Sequence, residues 1–172
     1  MLLVGLPAAG ASAVAEAVSA ATGWPALDDV LLLQRTTGCT AAELVRLHGE
    51  PALRSAESDV LTLTLSVPPP LVAAVSSGVV LDERDRARLR AGGHVVWLRV
   101  SVATLLRRRA RAGVRGRRED EPEAVLHAMA AEREALLAET AHSVLDLDLL
   151  TTAQAARQVV AAVRGHGPAQ AV

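Results

Sequence analysis

Phenylalanine, tyrosine, isoleucine, asparagine and lysine are all missing from this chain, and cysteine occurs once, at Cys39. Each absence excludes something. All 18 basic residues are arginine, so no mechanism that needs an ammonium side chain can run here. With two Trp and neither Phe nor Tyr, the core has to be built from Leu, Val and Ala. A lone cysteine permits no intrachain disulfide, which suits a reducing compartment. The five missing types share AT-rich codons, so a GC-rich gene accounts for most of the pattern. Charge is nearly balanced at a formal net of -1, and no aromatics alternate with the arginines, so nucleic acid is not an expected partner. The histidines (His48, His94, His127, His142 and His166) lie at no metal-ligand spacing, which argues against zinc. The apolar start, MLLVGLPAAGASAVA, has no basic residue before Arg35 and meets Glu16 before it is long enough to span a bilayer. Neither a signal peptide nor a membrane helix is expected, and the expected location is cytoplasmic.

What is present is ample apolar material, 51% of 172 residues, enough for one compact domain. We expect that domain over 1–165, with a flexible tail at 166–172. Short apolar runs alternate with longer helical patterns, the pattern of an α/β protein with a mainly parallel sheet. Strands are expected at Leu2–Val4, Ala26–Asp28, Leu71–Val75, His94–Val100 and Ser143–Asp148. Gly23 sits where a helix ends, and Thr40 with Glu43 forms a capping-box pattern. Pro51 suits a helix first turn, and the run Pro68-Pro69-Pro70 forces a break. The polar, glycine-punctuated stretch 111–120 reads as a loop.

Between the first strand and first helix stands Gly5-Leu-Pro-Ala-Ala-Gly10-Ala11-Ser12. Its spacing is that of a phosphate loop, GxxxxGK[ST], with Ala11 at the lysine position. In such a loop, backbone N–H groups and a helix N-terminus wrap phosphates while the hydroxyl residue ligates Mg2+.

From Leu2 to about Val163 the chain resembles the shikimate kinases, small P-loop enzymes that transfer the γ-phosphate of ATP to a hydroxyl of shikimate. The likeness rests on GLPAAGAS, GWPALDDV, TGCTAAELVRLHGEPALRSAE, VAAVSSGVVLDERDRARLR, VVWLRVSVATLLRRRARAGVR and AAEREALLAETAHSVLDLD, in that order. It implies a P-loop NTPase fold: a five-stranded parallel sheet flanked by helices, with a lid around 111–120. It also implies roles. Gly5, Gly10, Ser12 and Arg108 would bind the nucleotide, and Ser12 and Asp28 would hold Mg2+. Arg54 and Gly78 would contact the acceptor, with Asp28 and the lid residue Arg115 serving catalysis. ATP, Mg2+ and a small anionic metabolite are the implied ligands, and a monomer is expected.

The departures from the family pattern fall on chemistry. Beyond Ala11, a family glycine is Ala8, whose Cβ would crowd a phosphate. The second Asp of an Asp-x-Asp pair is Val30 in an ungapped alignment, which we prefer for economy; a one-residue gap puts Asp29 there. A triple-glycine loop reads Ser76-Ser77-Gly78, a second carboxylate-binding arginine is Ala138, and the proline after the lid arginine is Gly116. One cationic group is worth roughly 10³–10⁵ in rate in phosphoryl transfer. The expectation is therefore a shikimate-kinase-like protein with eroded ATP and shikimate sites: a pseudoenzyme needing no cofactor, or one with an altered ligand or activity that keeps ATP and Mg2+. The alternative is a functional or weak ATP-dependent kinase of shikimate or another hydroxylated metabolite. A third reading has the Arg-rich stretch 107–118 and its acidic neighbours docking a protein partner.

Overall fold

The computed structural model describes residues 1–112 and 123–164. The chain opens with β1 (Leu2–Gly5), buried along its length, and turns into α1 (Ala11–Thr22). Gly23 ends α1 in the left-handed region at φ 75°, its N–H donating to the Ser19 carbonyl at 2.8 Å. Next come β2 (Ala26–Asp28), α2 (Asp29–Thr37), α3 (Ala41–His48) and α4 (Glu50–Ser66). The Asp28 side chain caps α2, and the expected Thr40–Glu43 capping box starts α3. Pro51 lies in the first turn of α4, and that helix ends before the proline run. Then follow β3 (Val72–Ser76), a 3-10 turn (Ser77–Leu81), α5 (Glu83–Gly92), β4 (Val95–Arg99) and α6 (Val102–Ala112). The last elements are α7 (Glu123–Thr140), β5 (Ser143–Asp146) and α8 (Thr152–Arg164).

The sheet is five-stranded and parallel in every pairing, in the order β2-β3-β1-β4-β5. The inner strands read as unbroken apolar runs because helices cover both faces of a parallel sheet. Leu3, Val4, Val72, Ala73, Val95 and Leu98 are accordingly inaccessible. A smaller cluster, Leu33, Leu44, Leu53 and Val60, joins α2, α3 and α4 beside the main core. After β1 the chain leaves toward β2, whereas after β3 it crosses to β4 on the other side. That reversal opens a crevice at the carboxyl ends of β1 and β3, where open α/β sheets bind ligands. Gly5 and Ser76 are register partners there, so the first loop and the Ser76–Gly78 loop lie side by side.

Two details depart from expectation. Helix α6 extends to Ala112, so the stretch expected to be irregular from 111 begins as helix. The 3-10 turn after β3 has no counterpart in the sequence reading. The rest of the expected lid, with Arg115 and Gly116, and the expected tail lie outside the described residues.

Candidate active site

The first side of the crevice is the loop Leu6–Gly10. The Ala9 N–H donates to the Leu6 carbonyl at 2.9 Å, and Gly10 enters α1 in the left-handed region at φ 97°. Ala8 is also left-handed, at φ 68°, a conformation that strains any residue with a Cβ. Gly10 supplies no side-chain cap, and the first helical N–H with a described partner on the loop is Val14, bonded to the Gly10 carbonyl at 3.0 Å. The earlier N–H groups of α1 are thus left for an anion. Gly5 answers a tight approach: a Cβ there would lie 2.8 Å from the Leu98 carbonyl oxygen of β4. Arg108 reaches over from α6, donating to the carbonyls of Ala9 at 2.7 Å and Leu147 at 2.9 Å. Arg108, Ala8, Gly10, Leu147, Leu150 and Thr152 help to line a cleft of about 420 Å³. Arg108 is the one charged side chain among its described lining residues.

The second side is built by α2, α4, α7 and the loop after β3. Asp29 is 2% exposed and accepts from the Thr64 hydroxyl at 2.7 Å and, more loosely, from the Ser76 N–H at 3.4 Å. Burial pushes its pKa up to about 7; the Thr64 and Ser76 bonds oppose that rise, and the charges of Asp28 and Glu57 add to it. Glu57, also buried, pairs with Arg54 and accepts from the Ser76 hydroxyl at 2.9 Å. Burial raises its pKa against the pull of Arg54. Arg54 also binds Glu50 at 2.7 Å. Burial disfavours the Arg54 charge, but Glu57 and Glu50 outweigh it and the pKa rises. Arg133 is 5% exposed and donates to the Ser77 hydroxyl at 3.1 Å. Burial, then the nearby Arg54 charge, lowers its pKa. A Cβ at Gly78 would collide with Glu57 Oε2 and Arg54 Nη1, so any larger residue there has to displace the ends of both side chains.

These positions correct one expectation and add one residue. Val30 is 49% exposed on α2, while its neighbour Asp29 faces the Ser76 loop; the carboxylate of this site is Asp29, and the gapped alignment is the one the structure supports. Position 138 is alanine as read, and an arginine that the sequence reading did not single out, Arg133, lies on the buried face of α7 against the Ser77 hydroxyl. It occupies the apolar stripe Leu126, Ala130, Arg133, Leu137, and an arginine in such a stripe was the available signal. Asp28 caps α2 through Oδ1, accepting from the N–H groups of Val30 and Leu31 at 2.9 and 3.4 Å. Its Oδ2 and the half-buried Ser12 hydroxyl make no hydrogen bond to a described residue. That fits a magnesium ion, which takes one or two protein oxygens and completes its shell with water and phosphate. The described residues contain no cluster of three or more His, Cys, Asp or Glu side chains of the kind an all-protein cage requires.

A strand–loop–helix phosphate site, a parallel sheet reversing direction beside it, and a second side where the buried carboxylate Glu57 meets Arg54 and Arg133 define a P-loop kinase of small molecules. Residues 7–164 match the family model for shikimate kinase. The shikimate kinase of Oleidesulfovibrio alaskensis is 33% identical over 150 residues, covering 85% of this chain and 87% of that one. Shikimate kinase 2 of Yersinia pestis is 34% identical over 151 residues, 85% of each chain. The solved structure of shikimate kinase from Acinetobacter baumannii in complex with shikimate superposes with a TM-score of 0.87 at 26% identity, covering 98% of this chain and 94% of that one. The chain belongs to the shikimate kinase family.

Proposed function

We propose that the protein, acting as one domain over 1–165, transfers the γ-phosphoryl group of ATP to a hydroxyl of a small carboxylate acceptor, shikimate or a close analogue. The single observation that carries this is the acceptor side of the crevice: Asp29, Glu57 and Arg133 each bond to the Ser76–Ser77 segment, and Arg54 pairs with Glu57 beside Gly78. Arg54 and Arg133 are matched there by Glu57 and Glu50, so what supports an anionic acceptor is the guanidinium N–H groups facing the Ser77 turn rather than a net positive charge. Asp29, with its pKa near the working pH, is suited to take the proton of the attacking hydroxyl. Gly5, Gly10 and Arg108 form the nucleotide side, and Ser12 and Asp28 would hold Mg2+. When bound, that ion neutralises charge on the phosphate oxygens. Arg115, outside the described residues, would bring a further cation from the lid. A monomer with no nucleic-acid or membrane partner fits this role, and no described helix is long and apolar enough to cross a membrane. A cytoplasmic location fits it as well.

Ala11 sets the rate. Without a lysine the loop lacks the cation that stabilises the transferred group, so transfer is slow. Steady-state and single-turnover assays with ATP, Mg2+ and shikimate should give wild-type turnover below about one per second, under the usual enzyme range. Ala11→Lys should raise it by roughly 100-fold or more. Ala11 also favours a second reading, a family member that binds its ligands without catalysis. That version holds if shikimate binds while neither the wild type nor Ala11→Lys transfers phosphate.

A further inference from the structure

Helix α4 carries one hydroxyl on its buried face. That face runs Leu53, Glu57, Val60, Leu61, Thr64, and Thr64 is 1% exposed. A buried hydroxyl costs stability unless its proton is spent, and a threonine inside a helix usually spends it on a carbonyl one turn back. Thr22, Thr36, Thr37, Thr62 and Thr140 all do so. Thr64 does not. Its hydroxyl leaves α4 and donates to Asp29 Oδ1 on α2 at 2.7 Å, across 35 positions of sequence.

The carboxylate it reaches has few other holds. Asp29 makes no ion pair with a described residue, and the charges of Asp28 and Glu57 both work against its own. The Ser76 N–H lies 3.4 Å from Oδ2, a long contact, so the bond from Thr64 is the one that fixes the side chain. With Oδ1 clamped, Oδ2 is the oxygen turned toward Ser76, at the carboxyl end of β3 where the crevice opens.

We propose that Thr64 is a positioning residue for phosphoryl transfer, its hydroxyl holding Asp29 Oδ1 so that Oδ2 faces the attacking hydroxyl of the acceptor. The inference rests on the reading of Asp29 as proton acceptor given above. In that step the acceptor oxygen bonds to the γ-phosphorus, the bridging oxygen leaves with ADP, and the proton passes to Oδ2. Thr64 lies behind Asp29, closed off from solvent, and acts only through the carboxylate. A base has to stand within about 2.6–3.2 Å of the group it deprotonates, and a displacement of about 1 Å is worth roughly 100-fold in rate. The acceptor's carboxylate is held elsewhere, beside the Ser77 turn, so losing the Thr64 hydroxyl falls on the chemical step rather than on binding.

Steady-state kinetics with shikimate and Mg·ATP test this on the full chain, in the wild type and in the faster Ala11→Lys background. Thr64→Val keeps the branched shape and removes the donor, whereas Thr64→Ser keeps the donor and removes a methyl group. Thr64→Val should lower kcat by roughly 10–100-fold while each KM stays within about twofold. Thr64→Ala, which sets no methyl group against Asp29 Oδ1, should show the same split. Thr64→Ser should recover kcat to within about threefold of its parent, because the hydrogen bond is kept. A packing role predicts the reverse order, with valine the mild change and serine, which leaves a cavity, the harsher one. If Asp29→Asn is inactive but kcat is unchanged in Thr64→Val, lowered equally by serine, or if the loss is confined to KM, the positioning role is overturned alone. An active Asp29→Asn overturns the proton-acceptor reading and the role of Thr64 with it. If no protein in the series transfers phosphate, Ala11→Lys included, the kinase reading fails and takes both roles with it.

Discussion

Asp29 is where burial and chemistry pull in opposite directions. A carboxyl whose pKa is about 7 in the fold and near 4 in the unfolded chain holds its proton more tightly when folded. Its contribution to stability is therefore fullest below about pH 4 and declines as the pH rises to about 7, by up to about 4 kcal/mol. Glu57, raised by burial as well, adds to the same trend. Asp29→Asn should abolish phosphoryl transfer while flattening the fall in melting temperature between pH 5 and 8, read by thermal unfolding across that range. A variant that melts with the wild-type pH profile would mean that another group carries the trend. Asp29 also marks a limit of sequence reading. Alignment without gaps passes the role to Val30, since nothing in the letters Asp28-Asp29-Val30 says which one the start of α2 turns inward. Only the hydrogen bonds to Thr64 and Ser76, from elements far along the chain, settle it.

Helix ends were legible because their causes are local. The Thr40 capping box, the Gly23 terminus, Pro51 in a first turn and the proline break after Ser66 each depend on residues within a few positions. The acceptor side was less so, because it is made of single residues from α2, α4, α7 and the turn after β3. Arg133 becomes visible only once the buried stripe of α7 is traced, since its neighbours in the stripe are apolar. The turn Ser77–Leu81 has a close approach of its own to satisfy. It packs so tightly over α4 that Gly78→Ala would drive a methyl group into the Arg54–Glu57 pair. Glu57 is buried and Arg54 half-buried, and their side-chain ends can shift only by giving up hydrogen bonds, so the cost should be about 1–3 kcal/mol in denaturant titrations. Shikimate binding should fall with it. Gly10→Ala, by contrast, meets only Arg108 Nη1 at 3.8 Å, so its penalty should come from the left-handed backbone alone, about 1–2 kcal/mol.

Across the whole molecule, the two ligand positions flank one strand pairing, Gly5 with Ser76, and Arg108 ties down the nucleotide side. From α6 it bonds the phosphate loop at Ala9 and the segment after β5 at Leu147, so a single guanidinium joins three parts of the chain that the sheet alone leaves separate. Arg108→Ala should leave two carbonyls without their charged donor, costing about 2 kcal/mol. For a chain of this size that is a loss of roughly 4–8 °C in melting temperature. A bound ligand at 100 times its dissociation constant adds about 2.7 kcal/mol to stability, so each site can be read separately by its own thermal shift. In Arg108→Ala the shift given by Mg·ATP should vanish while that given by shikimate persists, because the acceptor side shares no hydrogen bond with Arg108. A variant that loses stability yet keeps the Mg·ATP shift would make Arg108 a structural tie only, and would leave the nucleotide side to the loop, α1 and the lid.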